Sequence, residues 1–305
     1  MRITSIFISK MRDSIQTEVV SMFEIPAMDR QILQGVCELH IHGSPDLSQR
    51  PFTEVELARQ ARDAGYKAIL FKSHHAINAD RAQIISGVVS GIEVFGGVVL
   101  NYPVGGINPY AVEAAIGFGA KEVWMPTLHA ANHIKVIGMP GYPKHTPVET
   151  ARRPRLSDQG ITILDTFGEL IPQVQDILGI LADANIILGT CHLSLDEDFA
   201  LVDAARKAGV KKVLVTHPGW EATEWPIDAL ARLVDMGACL EYCYNSCMPF
   251  GNRLNPRKIV EGIREVGAEH CVMATDFGQP YNPNPIDGMR QFIKVMQALG
   301  IDERE

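Results

Sequence analysis

Two histidines one residue apart, His40 and His42, end the apolar run Val36-Cys37-Glu38-Leu39-His40-Ile41-His42, and a Gly43-Ser44-Pro45 turn follows at once. In a strand, side chains two apart leave the same face. Both imidazoles therefore emerge together at one end of the element, placed to share a metal ion. His-x-His also stands on ordinary sheet surfaces, but here later apolar runs end in the same way: Lys72-Ser73-His74-His75, Cys191-His192, Thr216-His217 and Thr275-Asp276. Imidazoles with a carboxylate suit zinc and neighbouring divalent transition metals.

The elements that must carry these residues alternate along the chain. A helix is expected over 52–65, with Thr53 as its cap, Glu56 as capping-box partner and Gly65 as its stop. A buried-type strand at 67–75, a helix at 78–90 and a strand at 94–101 follow. Next come a helix at 108–119, capped by Asn108 and started by Pro109, and a strand at 122–127. The segment 128–171 is rich in Gly, Pro, His and Arg, with one short β-like piece at 160–170. The rhythm then resumes as helix 173–184, strand 186–192, helix 195–208, strand 212–217, helix 227–236, strand 238–244, helix 255–266, strand 271–276 and helix 289–299. Short apolar strands separated by amphipathic helices imply parallel pairing, and eight such units close into a TIM-type (β/α)8 barrel. The chain thus reads as α/β, with an N-terminal extension (1–34), a barrel (35–305) and a lid-like insertion at 128–171 after strand four.

The totals narrow the range of partners. The 305 residues are 46% hydrophobic and 21% charged, with mean hydropathy +0.03, enough for a full-sized core. A net charge of −8 and a pI near 5.7 argue against nucleic acid and anionic membranes, which call for a basic surface. A small-molecule substrate is the expectation, with room for a homo-oligomer. Six cysteines lie mostly in apolar runs and read as reduced thiols of a cytoplasmic protein; Cys243 and Cys247 lack a second Cys/His pair at zinc-site spacing. The first thirty residues have no long uncharged apolar core and carry Asp13, Glu18 and Glu24, so neither a signal peptide nor a membrane span fits.

In such a barrel the site lies at the C-terminal strand ends. Those ends carry His40 and His42, then Lys72 and His74, Asn101, Thr127, His192, His217 and, on the eighth strand, Asp276. This pattern resembles the metal-dependent amidohydrolase superfamily: His-x-His on strand one, a bridging Lys or Glu usually on strand four, one His each on strands five and six, and Asp on strand eight. The resemblance runs from 35 to 278. The stretches Gly-Thr-Cys-His-Leu-Ser (189–194), Val-Thr-His-Pro (215–218) and Val-Trp-Met-Pro-Thr (123–127) are similar, more narrowly, to an uncharacterised amidohydrolase-related branch. It implies His40, His42, His192, His217 and Asp276 as ligands of one or two zinc ions, or manganese or iron, with Asp276 and His217 in the catalytic roles.

One departure is on strand four, which offers Trp124, Pro126 and Thr127 near its end but no bridging Lys or Glu. Lys72 shares parity with His74 and is either a carboxylated bridge between two metals or a protonated lysine for a substrate anion. His74 and His75 resemble the second-strand end of the polymerase and histidinol phosphatase family, although Asn101 stands where that family has Glu; His74 and Asn101 are therefore secondary ligand candidates. His129, His133, His145 and His270 read as surface or lid residues. Arg152, Arg153 and Arg155 are a solvated charge run or, if the insertion covers the mouth, clamps for a carboxylate or phosphate. Tyr242, with Tyr244, Trp124 and Phe277, lines the pocket or packs the barrel.

The chemistry expected is hydrolysis. A metal-activated water attacks an amide, lactone or ester of a small, anionic or neutral molecule, and Asp276 takes the proton. The rivals are a single-metal decarboxylase acting on a small carboxylic acid, a phosphoesterase, and a non-catalytic metal-binding barrel.

Overall fold

The computed structural model describes residues 31–138 and 159–305. Most of the N-terminal extension, and His145, Arg152, Arg153 and Arg155 of the insertion, lie outside the described residues. β1 (Cys37–Ile41), β2 (Ala68–Phe71) and β3 (Glu93–Phe95) form one parallel ladder. β4 (Gly97–Val99), β5 (Glu122–Trp124), β6 (Ile187–Gly189), β7 (Val213–Thr216), β8 (Cys239–Cys243) and β9 (Cys271–Ala274) form another.

The two ladders are arcs of one ring. β3 and β4 make up the single strand expected at 94–101, interrupted at Gly96, where a Cβ would meet the Asn78 carbonyl oxygen at 2.6 Å. Asn78 fills the break: its side chain donates to the Phe71 carbonyl and accepts from Gly97 N, both at 2.8 Å. At the other seam Asp276 N donates to the His40 carbonyl and His42 N to the Phe277 carbonyl, both at 2.8 Å, with Ile41 bridged in parallel to Phe277. First and last strands are thereby joined, and the barrel expected from the alternation is present.

Helices α1 (Glu54–Ala64), α2 (Ala79–Val88), α3 (Pro109–Gly117), α4 (Ala131–Ile137), α5 (Pro172–Ala184), α6 (Leu195–Ala208), α7 (Ile227–Asp235), α8 (Pro256–Val266) and α9 (Pro285–Ala298) connect and cover the strands. α1 forms as its signals dictate, with a Thr53–Glu56 capping box and a left-handed Gly65 at its end. α9 begins before the expected start at 289, because Asn284 accepts from Ile286 N and Pro285 suits the first turn. α4 was not expected inside the insertion. The β-like piece at 160–170 reduces to isolated bridges, Ala130 with Ile161 and Leu164 with Leu170.

Strand alternation divides the core. Outward residues such as Val98, Val123, Leu188, Val215 and Leu240 pack against the helices, as do Ile41, Ile69 and Phe71 on the β1–β2 side. The lumen holds a small apolar cluster, Leu70, Val99, Trp124 and Cys191. Lumen positions also carry titratable groups: Glu38, Lys72, Glu122 and Glu241 are all at most 1% exposed. Among the described residues no helix is long and apolar enough to cross a membrane.

Candidate metal centre

Each predicted ligand stands at or just past a strand end. The ladders stop at Gly189, Thr216 and Ala274, so His192, His217 and Asp276 are placed by the turns that follow. Those turns use left-handed backbone at non-glycine residues: φ is 58° at Cys191, 38° at His217 and 53° at Asp276. Such conformations are costly and gather at functional sites.

His40, His42 and Asp276 offer donor atoms that all lie within 4.8 Å of one another. Asp276 Oδ1 is 2.9 Å from His42 Nε2 and 3.3 Å from His40 Nε2. The outer ring nitrogens are already engaged: His40 Nδ1 donates to Glu241 Oε2 at 3.2 Å and His42 Nδ1 to the Lys72 carbonyl at 2.8 Å. Both partners accept only, so these Nδ1 atoms carry the hydrogens and the Nε2 atoms present lone pairs. Asn245 steadies the carboxylate, donating to Asp276 Oδ2 at 3.0 Å.

The second pair adjoins the first. His192 and His217 face each other through Nε2 at 3.2 Å, and the rings of His217 and His40 are 6.1 Å apart. Thr223 Oγ1 donates to the His217 carbonyl at 2.9 Å and takes Nδ1–H from the same residue at 3.2 Å, which again leaves Nε2 free to bind. His192 Nδ1 is 2.8 Å from His133 Nδ1, and Trp220 stacks on His133 at 5.7 Å. Asn132 of α4 donates to the carbonyls of His192, Leu193 and Ala222, tying this helix to both turns. The Ser194–Glu197 capping box starts α6 directly after His192, and Glu197 Oε1 accepts from Ile163 N and Thr162 Oγ1 of the insertion.

Lys72 reaches the centre from below. Its Nζ is 3.1 Å from His40 Nε2 and 3.6 Å from Cys191 Sγ, and lies over Trp124 at 5.3 Å. Burial works against the ammonium, but Cys191 and the carboxylates of Asp276, Glu241 and Glu122 outweigh it and hold the amine charged. Burial brings His42 down to about 4, with Arg50 adding to the effect against the pull of Asp276. It also holds His74, His192 and His217 well below the usual imidazole range, so these rings are neutral, as metal ligation requires. Asp276 stays ionised in spite of its burial, with Asn245 donating to its Oδ2.

Other expectations are revised. Tyr242 does not join the site: Glu241 and Cys243 have lumen parity, so Tyr242 points into the helix layer, beside Gly262 and Leu230. Asn101 is a clasp, accepting from Thr127 N at 3.0 Å and donating to the His74 carbonyl at 3.1 Å. His74 stacks on His42 at 4.8 Å and contacts Thr127 Oγ1 through Nδ1 at 2.9 Å. His129 and His133 are buried rather than surface residues. Trp124 fills the lumen and Phe277 packs beneath α9, so both are packing aromatics. Cys243 Sγ lies 3.6 Å from His40 Nδ1, whereas Cys247 packs toward the helix layer. Glu38, Glu122 and Glu241 were missed, although a Glu inside an apolar strand run is a legible signal: its buried carboxylate needs a partner.

A family model of unknown function, DUF6282, matches residues 35–241, from the first strand into β8. The chain belongs to the DUF6282 family. A search of the curated proteins finds no match to this member. Among solved structures, this DUF6282 chain is similar to an amidohydrolase from Pseudomonas aeruginosa (TM-score 0.57, 11% identity, covering 92% of this chain and 93% of that one). It is also similar to a probable dipeptidase from the same organism (TM-score 0.53, 10% identity, 91% and 94% covered). A third is an organophosphorus hydrolase from Deinococcus radiodurans (TM-score 0.50, 9% identity, 89% of each chain covered). At these identities the likeness shows a shared barrel fold.

Whether this DUF6282 site fits a metal is decided at Asp276. With Nδ1 carrying the hydrogen, His42 turns a lone pair toward a carboxylate oxygen 2.9 Å away, and its ring stays neutral above about pH 4. Two electron-rich atoms that close need a positive charge between them, and a divalent ion supplies it. The donor set is therefore that of a metal site.

Proposed function

We propose that the chain is a metal-dependent hydrolase of the amidohydrolase type, acting on an amide, lactone or ester of a small molecule. The observation that carries this reading is the set of imidazoles whose Nδ1 atoms are engaged by protein partners while Nε2 faces the mouth, with ionised Asp276 among them. His40, His42 and Asp276 would hold the ion, zinc being the expected one, with His192 and His217 beside it. When bound, such an ion lowers the pKa of a coordinated water from 15.7 to about 7 and polarises the attacked carbonyl. Asp276, acceptor-only and steadied by Asn245, takes the proton from the attacking water and delivers it to the leaving group. His217, held by Thr223, orients the reacting oxygen, and Trp220 shields the His192–His217 side from water.

Lys72 favours a single ion over a bridged pair. Its amine sits beside the carboxylates of Asp276 and Glu241, so converting it to a carbamate anion would place like charge beside both. A single ion also keeps the decarboxylation of a small carboxylic acid as the second reading. The fold and the net charge of −8 fit a small-molecule substrate, and the six free cysteines fit a cytoplasmic setting.

The test is elemental analysis of purified protein together with an assay panel of amides, lactones and esters. About one zinc per chain is expected, with turnover lost on chelation and restored by metal. Asp276→Asn should keep much of the metal through the imidazoles, at lower affinity, and lose about 10²–10⁴-fold in rate. A metal-free protein indifferent to added zinc sinks the reading.

A further inference from the structure

Among the described residues two cations approach the centre, and one of them is fully engaged by the protein. Lys72 is enclosed by His40, Cys191 and the lumen carboxylates. Arg50, on the loop after β1, is different. Its Nε donates to Asp46 Oδ2 at 2.9 Å and its Nη2 lies 2.9 Å from the same oxygen, while among the described residues Nη1 makes no bond. The pair is built rather than incidental: Asp46 Oδ1 accepts from His75 Nδ1 at 2.8 Å and from Ser48 N at 3.2 Å. The side chains of Arg50, Asp46 and His75 are only 4%, 1% and 3% exposed. A guanidinium anchored on one edge by a buried carboxylate presents its other edge to a ligand.

Its position relative to the centre follows from its partners. Asp46, which it binds, holds His75, whose ring lies 6.1 Å from that of His74, and His74 in turn stacks on His42 at 4.8 Å. It therefore flanks the metal centre on the β1 side. Asp46 already balances its charge, so the pair suits a singly charged oxyanion better than a phosphate dianion.

We infer that Arg50 seats a carboxylate of the substrate, making the substrate class small carboxylic acids with a scissile amide, ester or lactone bond nearby. The inference rests on the hydrolase reading only in taking the mouth as the place where substrate binds. Asp46 and His75 are positioning residues that aim the free edge of Arg50.

The test uses the full chain and two probes, malonate and its uncharged diamide, with binding measured by calorimetry on zinc-loaded protein and zinc content measured on the same samples. Wild type should bind malonate at least about tenfold more tightly than malonamide, the scale of one charge-assisted hydrogen bond. Arg50→Gln should erase that preference, and Arg50→Lys, which keeps the charge but not the fork, should retain part of it. Arg50→Lys also guards against a loop that fails to form without a cation beside Asp46. Equal malonate affinity in wild type and both variants overturns the inference, as does tighter binding of inorganic phosphate than of malonate. Zinc content reports separately on the hydrolase reading: protein without zinc that still binds malonate through Arg50 sinks the enzyme and leaves the carboxylate seat.

Discussion

Glu241 sits in the middle of an apolar strand and holds His40 Nδ1 at 3.2 Å, which fixes the ring orientation and directs Nε2 toward Asp276. Partners of this kind are worth about 10–100-fold in metal affinity. Glu241→Gln should therefore weaken zinc binding by about that factor in a chelator competition, since the amide oxygen can still accept but the negative charge is gone; unchanged affinity would mean that His40 is oriented by packing alone. At this scale the sequence was half legible. His40, His42, His192, His217 and Asp276 announce themselves by type and by their place at the ends of apolar runs. Glu241 and His133 do not, because their role depends on which residue about two hundred or sixty positions away faces them, and Thr223, six residues from His217, depends on the turn that brings it back to that ring. Tyr242 was misplaced for a related reason: aromatic character says nothing about which face of a strand a residue occupies, and parity with Glu241 decides it.

The elements were legible where local chemistry sets them. Thr53 and Glu56 start α1 and Gly65 stops it, with no help from the rest of the fold. They were less legible where tertiary contacts override the local pattern: the break at Gly96 is stitched by Asn78 from another element, and the turns at His217 and Asp276 adopt left-handed backbone that His and Asp tolerate better than most residues but do not by themselves dictate. The closing seam makes a sharper case. Gly278 has φ 129°, and a Cβ there would lie 2.1 Å from the His42 carbonyl oxygen. Gly278→Ala should force the strand ends bearing His42 and Asp276 apart, adding steric cost to a backbone penalty on the order of 1–3 kcal/mol. The expected outcome is a lower denaturation midpoint together with lower zinc content; loss of stability with full zinc retention would show that the seam and the centre are independent.

Across the whole molecule, buried titratable groups set the dependence of stability on pH. Burial raises Glu38 to about 8 in the folded chain, although Thr275 N and His40 N both donate to its Oε1. The unfolded carboxyl ionises near 4.5, so between that value and about 8 the unfolded state holds fewer protons and stability falls as pH rises. His42 works the other way: its folded value of about 4 lies below the unfolded 6.5, so its contribution is complete above 6.5 and is lost as pH falls toward 4. The two oppose each other from about 4.5 to 6.5, and above 6.5 only the decline remains, with Glu122 and Asp198 adding to it. Melting of metal-free protein from pH 5 to 8.5 should show that decline, and Glu38→Gln should shallow it; an equally steep decline in the variant would assign the effect to the other carboxyls. The broad architecture, eight strands closing a ring with donors at one rim, was readable in advance because periodicity survives over the length of the chain. What periodicity could not show is that the two amides shutting the ring belong to His42 and Asp276 themselves, bonded to the carbonyls of Phe277 and His40. An ion held by these residues is then a clasp across the barrel's first and last strands, and its binding free energy enters the folding equilibrium directly: at a thousandfold excess over the dissociation constant the linkage is worth about 4 kcal/mol, so for this chain the supply of metal sets how tightly the ring is shut.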